Sequence, residues 1–260
     1  MLWLLEGILW ILRFMIGASV FSFFNVVICR LPQGESVIRG RSHCPGCGRP
    51  LAAWEMIPCM SYLALRGRCR GCKEKIKARY FWMEAMGGIL FLACILRFGP
   101  GSLGLISPLG LLSFLYLGIL VMAAWIDWDT RIIHDRFSVG IALLGLFSLG
   151  LFPEHTLSQR FLGCVLVAVP MLLLSLVIEG AFGGGDMKLM ASSGFLLGAK
   201  SVAVAMFIGL MAGGIYCGIM LKKGKLKRKD AFAFGPFLAV GLGIACFWGD
   251  ALADWYLSLL

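Results

Sequence analysis

Charge is what this sequence has little of: 15% of its 260 residues are Asp, Glu, Lys or Arg, and only 14 are acidic. Soluble domains carry about 25% charged and about 45–50% apolar residues, whereas 60% are hydrophobic here and the mean hydropathy is +0.88. A water-soluble fold of this size has too little interior to hide so much apolar surface, so a polytopic membrane protein is expected. The composition also excludes disorder and collagen-like repetition, and no internal repeat or low-complexity tract is evident in the sequence. The first apolar run lacks a basic leader and a small-residue cleavage site and contains Glu6 and Arg13, so it reads as a retained helix and not a signal peptide.

Apolar stretches lie near residues 3–29, 81–98, 103–126, 137–152, 161–178, 201–221 and 231–249, with a shorter one at 187–199. A span needs about 20 residues to cross about 30 Å of hydrocarbon, and the stretch 187–199 falls short of that. The basic residues argue for counting it. Of the 24 Lys and Arg, eleven lie in residues 30–79 and six are Lys222, Lys223, Lys225, Lys227, Arg228 and Lys229, so both segments are expected in the cytoplasm. With 187–199 counted, residues 222–230 fall inside. The expectation is an all-α polytopic membrane protein of about eight transmembrane helices, both termini outside, with a small cysteine-bearing cytoplasmic domain between the first two. The divisions are a first helix over 1–29, the cysteine domain over 30–80 and a membrane-embedded domain over 81–260.

Six of the ten cysteines (Cys29, Cys59, Cys94, Cys164, Cys217, Cys246) lie in or beside apolar segments and read as small core residues. The other four form Cys44-Pro-Gly-Cys47 and Cys69-Arg-Gly-Cys72, two knuckles separated by 21 residues. Each knuckle can aim two thiolates at one ion, and two of them complete a tetrahedral zinc site. A loop with few aliphatic residues builds little core, so a metal staple answers its need for stability. Two disulfides, or four reduced thiols without a metal, are the alternatives. The reducing compartment and the spacing favour structural zinc.

The scarce acids gather where apolar runs end. Asp127 and Asp129 close the third run, Asp135 follows, and Glu179 and Gly183-Gly184-Gly185-Asp186-Met187-Lys188 follow the fifth. Ionisable groups at membrane boundaries are functional candidates. In the eight-span topology Asp127 and Asp186 share one membrane face. Two carboxylates within reach of one water can divide the work of acid and base, which is aspartic-protease chemistry. Three glycines allow close approach of another chain beside Asp186. The plain alternative is that these acids answer nearby Lys and Arg: Asp129 with Arg131 or Arg136, Asp135 as a cap for a helix starting near Phe137, and Lys188 orienting Asp186 or snorkelling.

At this point the chain resembles the bacterial type IV prepilin peptidases, membrane aspartic proteases of the Gly-x-Gly-Asp class. The resemblance covers nearly the whole chain. It runs from Gly17-Ala18-Ser19-Val20-Phe21-Ser22-Phe23-Phe24-Asn25 and Arg30-Leu31-Pro32 through Arg41-Ser42-His43-Cys44-Pro45-Gly46-Cys47, Ile57-Pro58 and Arg66-Gly67-Arg68-Cys69-Arg70-Gly71-Cys72. Arg79-Tyr80 with Glu84, Ile126-Asp127, Gly183-Gly184-Gly185-Asp186-Met187-Lys188-Leu189 and Phe234-Gly235-Pro236-Phe237 complete it.

The resemblance implies that Asp127 and Asp186 are the catalytic pair, supported by Gly183, Gly185 and Lys188. It implies cleavage of the basic leader of type IV prepilins or type II secretion pseudopilins after a glycine, at the cytoplasmic face of the bacterial inner membrane. N-methylation by S-adenosylmethionine would follow in residues 30–80, with Gly67 beside the second knuckle. Small residues, 34 of them glycine, are expected to hold the substrate's apolar helix in the bilayer. An acidic patch of Asp129, Asp135 and Glu179, with Glu55, is expected to receive its basic leader. Two positions depart from the family: His134 stands where proline is usual, which should free the loop, and Glu55 where asparagine is common. A different class, a non-catalytic scaffold or transporter with a zinc clip, would use the same acids as braces. Nucleic acid is not an expected partner, because the polar domain has few aromatics to stack bases.

Overall fold

The computed structural model describes residues 2–100, 106–151, 156–178, 180–225 and 232–259. Glu179, Lys227, Arg228 and Lys229 therefore lie outside the described residues. Among those described there is no strand, and the nine α-helices run in the order α1 (Leu2–Arg30), α2 (Met60–Ala64), α3 (Ala78–Phe98), α4 (Pro108–Thr130), α5 (Asp135–Phe147), α6 (Leu157–Val177), α7 (Gly184–Leu197), α8 (Ala199–Lys222) and α9 (Gly235–Leu257). Six of them (α1, α3, α4, α6, α8, α9) are long and apolar enough to cross a membrane. The runs near 137–152 and 187–199 form α5 and α7, of 13 and 14 residues. At 1.5 Å per residue these reach only about 20 Å, short of about 30 Å of hydrocarbon. The glycines before Asp186 do not precede α7 as a loop; Gly184 and Gly185 are its first turn.

Local chemistry sets the helix ends. Thr156 and Gln159 bond each other's backbone N–H at the start of α6. Arg131, with φ 59°, turns the chain out of α4 directly after Thr130, and Gly198, with φ 83°, separates α7 from α8.

The chain forms two compact units, Met1–Phe114 and Leu115–Leu260. In the first, α1 packs along α3, and a Cβ on Gly17 would collide with the Gly87 carbonyl, so only glycine permits this crossing. In the second, α8 packs on α9, and α7 on both α5 and α6. Gly163 and Gly194 meet at the crossing of α6 with α7, and Gly241 meets the Ala205 carbonyl where α9 crosses α8. These glycines are spent on the protein's own helix pairs, not on a guest helix.

Arg160, fully buried in the first turn of α6, holds the far end of α7 in place. It donates to Ser148 Oγ at 2.6 Å, the Ser148 carbonyl at 3.3 Å and the Phe195 carbonyl at 3.3 Å. The end of α7 has carbonyls without helical partners, and a cation there is favourable.

Candidate active site

Asp127 lies in the last turn of α4 and is buried. Its Oδ2 accepts a hydrogen bond from the Gly235 N–H, at the first position of α9, at 2.9 Å. A helix N-terminus presents free N–H groups and a partial positive charge, which suits a carboxylate. Gly235 is required there: a Cβ would meet Asp127 Oδ2 at 2.8 Å and Ile133 Cδ1 at 3.0 Å. A Gly-Pro pair is a signal for a helix start, but the partner of Gly235 stands 108 residues away in the chain.

Asp186 occupies the third position of α7 and accepts from the N–H of its own cap residue, Gly183, at 3.2 Å. It lies outside the six long helices. Burial pushes its carboxyl up to about 6, and the charge of Asp127 adds to that. Buried Ile133 joins the two positions: a Cβ on Gly185 would meet Ile133 Cβ at 2.8 Å, and the same side chain abuts Gly235. Gly183 and Gly185 thus have distinct duties, one donating to Asp186 and the other admitting Ile133.

Lys188 turns away from Asp186. Its Nζ bonds both carboxylate oxygens of Asp135 at 2.8 Å, an exposed pair that ties α7 to the start of α5. Asp135 is consequently no cap; His134 occupies that place. Nor does His134 free the loop, since its φ of −73° lies within the range a proline would impose. The expected acidic patch shrinks accordingly: Asp135 is neutralised by Lys188, Glu179 lies outside the described residues, and Asp129 remains exposed on the last turn of α4. Glu55 is buried and bound to Arg49 Nη2 at 2.6 Å, and Arg49 followed by the Ala52 N–H holds its carboxyl below the usual range.

An aromatic cluster goes unnoticed in a linear reading. Trp128, Tyr216, Phe232, Phe237, Phe234 and Phe182 are linked by ring contacts of 5.1–6.4 Å. Trp128 follows Asp127 in the chain, Phe234 precedes Gly235 and Phe182 precedes Gly183. The residues that anchor both carboxylates are therefore each flanked by an aromatic ring.

In the first unit the sulfurs of Cys44, Cys47, Cys69 and Cys72 all lie within 4.8 Å of one another. Cys44 and Cys72 are 3.8 Å apart, the separation that Zn–S bonds of about 2.3 Å give in a tetrahedron, about 3.8 Å. The N–H groups of Cys72 and then Gly71 draw the Cys69 thiol down to about 6. The two knuckles also repeat each other at an offset of 25 residues, contrary to the sequence reading. Cys44 N–H donates to the Arg49 carbonyl as Cys69 N–H does to Glu74, and Leu51 N–H to Ser42 as Ile76 N–H does to Gly67. Gly48 and Lys73 take matching positive φ, 69° and 61°. The Glu74 side chain covers Gly46 and the Arg49 side chain covers Gly71, so each half closes the other. Cys-x-Gly-Cys followed four residues on by Leu51 or Ile76 was the signal. Gly67, with φ 65°, sits under the Tyr62 ring, where a Cβ would meet its Oη at 2.8 Å.

Residues 15–98 match the Bacterial Peptidase A24 N-terminal domain, and residues 114–218 the Type IV leader peptidase family. Among curated proteins, the prepilin leader peptidase/N-methyltransferase of Aeromonas salmonicida (strain A449) is 31% identical, over 99% of this chain and 96% of that protein. The protein of that name from Bacillus subtilis (strain 168) is 29% identical over 95% of this chain and 97% of its own. The one from Myxococcus xanthus (strain DK1622) is 36% identical over 80% of this chain and 62% of its own. No solved structure matches the chain.

Proposed function

The chain belongs to the type IV leader peptidase family, and we propose that it cuts the short basic leader from type IV prepilins or type II secretion pseudopilins after a glycine and then methylates the new amino terminus. The observation that carries the peptidase reading is the pair Asp127 and Asp186, each fixed by an N–H at a helix start and coupled through their charges. Asp186, whose carboxyl burial pushes up, serves as the acid of the pair. Asp127 takes a proton from a water, whose oxygen attacks the scissile carbonyl, while the Asp186 proton moves to the carbonyl oxygen. Collapse of the tetrahedral intermediate breaks the C–N bond, the amine leaves with the proton that Asp127 took, and a hydroxyl of the intermediate returns a proton to Asp186. The aromatic rings beside both anchors supply an apolar wall for the substrate next to the cut.

The reaction is read at the cytoplasmic face of the bacterial inner membrane, a reading that the basic loops support. Cys44, Cys47, Cys69 and Cys72 would hold zinc, and four thiolates leave no open position on the ion, so its part is structural. Methylation, with S-adenosylmethionine as donor, belongs to residues 30–80. Gly67 acts there through the backbone turn beneath Tyr62, so its substitution disturbs the second knuckle itself.

A purified sample in detergent, given a prepilin peptide and labelled methyl donor, should cleave after the glycine and label the new amino terminus. Absence of cleavage sinks the peptidase reading; cleavage without label removes only the methylation. Gly235→Ala should lower the cleavage rate by about 10²-fold, the scale of a misplacement near 1 Å, because its Cβ displaces Asp127. Unchanged kcat in that variant would show that the Gly235 contact does not set the carboxylate.

A further inference from the structure

The segment that carries α2 belongs by sequence to the polar cysteine domain, yet it is fastened deep along two membrane helices. Glu84 of α3 accepts from the Cys59 N–H at 2.7 Å with one oxygen and from Ser22 of α1 at 2.7 Å with the other. The Tyr62 ring packs on Phe81 of α3 at 5.3 Å. Glu84 stands six residues inside α3 and Ser22 eight residues before the end of α1. At 1.5 Å per residue the joint lies about 9 Å and about 12 Å inward from the two helix ends. Because α3 has 21 residues, about 31 Å, little more than the hydrocarbon thickness, this depth is that of the acyl chains next to the headgroups.

The faces of the segment divide accordingly. Glu55, Pro58 and Cys59 point inward and are buried, whereas Trp54, Met56, Ile57, Met60 and Leu63 are exposed, Met60 and Leu63 at 60% and 59%. Trp82 and Ile89 of α3 are exposed in the same way. Arg70 lies over the Trp54 ring at 5.5 Å, and Arg66 and Arg68 are exposed close by. Apolar side chains accompanied by a tryptophan and arginines form the pattern of an interfacial anchor.

We infer that residues 54–63 are a membrane-inserted foot of the cysteine domain, with Met60 and Leu63 in the acyl region and Arg66, Arg68 and Arg70 at anionic headgroups. The foot presses the domain against the bilayer from which an apolar substrate helix must emerge. It depends on α1 and α3 crossing the membrane and not on the assignment of the catalytic residues.

The test places a nitroxide at residue 60, 63 or 38 through a genetically encoded ketone amino acid, leaving the ten cysteines intact. The full chain is reconstituted in vesicles of phosphatidylethanolamine and phosphatidylglycerol. Ile38 is the control, because it is equally apolar and 88% exposed but lies outside residues 54–63. Oxygen should reach the probe at 60 and 63 several-fold better than a water-soluble nickel complex does, with the order reversed at 38. A probe at Ile57 gives the same comparison where a label in α2 disturbs folding. Nickel access at 60 and 63 equal to that at 38 would falsify the inference, and poor access to both reagents would also overturn it by showing protein, not lipid, over the patch.

Discussion

Asp127→Asn and Asp186→Asn are each expected to lower prepilin cleavage by at least about 10³-fold, the upper range of what a positioned acid or base contributes, with the protein still inserted in the membrane. Asparagine keeps the shape of each site. At position 127 it can still accept from the Gly235 N–H, and at position 186 from the Gly183 N–H, so the helix starts stay anchored while the proton carrier is gone. Substantial cleavage by either variant removes the dyad assignment.

Stability separates this loss from unfolding. The carboxyl of Asp186 rises from the ordinary 3.8 to about 6, so its charged form is disfavoured in the folded protein. Asp186→Asn should therefore be more stable than the parent at pH 7. That advantage shrinks as pH falls through about 6 and vanishes below about 4, where the parent's carboxyl is neutral in both states. A melting series in detergent from pH 4 to 7 checks the sign. An Asp186→Asn protein that melts lower than the parent at pH 7 would mean that the ionised carboxylate is a structural brace.

The second large effect concerns the four cysteines. Purified protein should carry one zinc per chain, and Cys44→Ser, Cys47→Ser, Cys69→Ser or Cys72→Ser should each reduce that content to near zero. Structural zinc supplies about 10–16 kcal/mol of apparent binding free energy in small domains, more than a loop of this composition can replace. Loss of the ion should open residues 42–76 to protease and abolish methylation. Chelation should reproduce this without supplying or removing a nucleophile. Oxidised sulfurs without zinc, measured by metal analysis and thiol titration together, would assign the cluster to disulfides. The reciprocal cover of Gly46 by Glu74 and of Gly71 by Arg49 makes a sharper point: damage to one knuckle should expose both to protease.

Features written in consecutive residues were legible from the chain alone. The Cys-x-x-Cys spacing and the run Gly183-Gly184-Gly185-Asp186 are of this kind, because their geometry is set by the few bonds between them. What stayed hidden is pairing over distance. Lys188 reads as a neighbour of Asp186, but a helix turns its side chain toward Asp135, 53 residues earlier. Glu55 reads as a free acid until Arg49 folds back on it. Gly235 stands in the sequence as one residue of the Phe234-Gly235-Pro236-Phe237 motif and becomes part of the site only when α9 lies against α4. The shortness of α7 was legible in its apolar run, whereas that of α5 was hidden because its run continues to residue 152, past Ser148, where the helix ends.

Asp127 stands three residues before the end of α4, a rise of about 4.5 Å. Asp127 is buried, yet it lies one helical turn from the mouth of a membrane helix, so the proposed hydrolysis needs only a short path for water and no aqueous channel through the bilayer. On the proposed function, the substrate's hydrophobic stem can stay lodged among lipid tails throughout the reaction, and only the few residues at its tip have to uncoil for the cut.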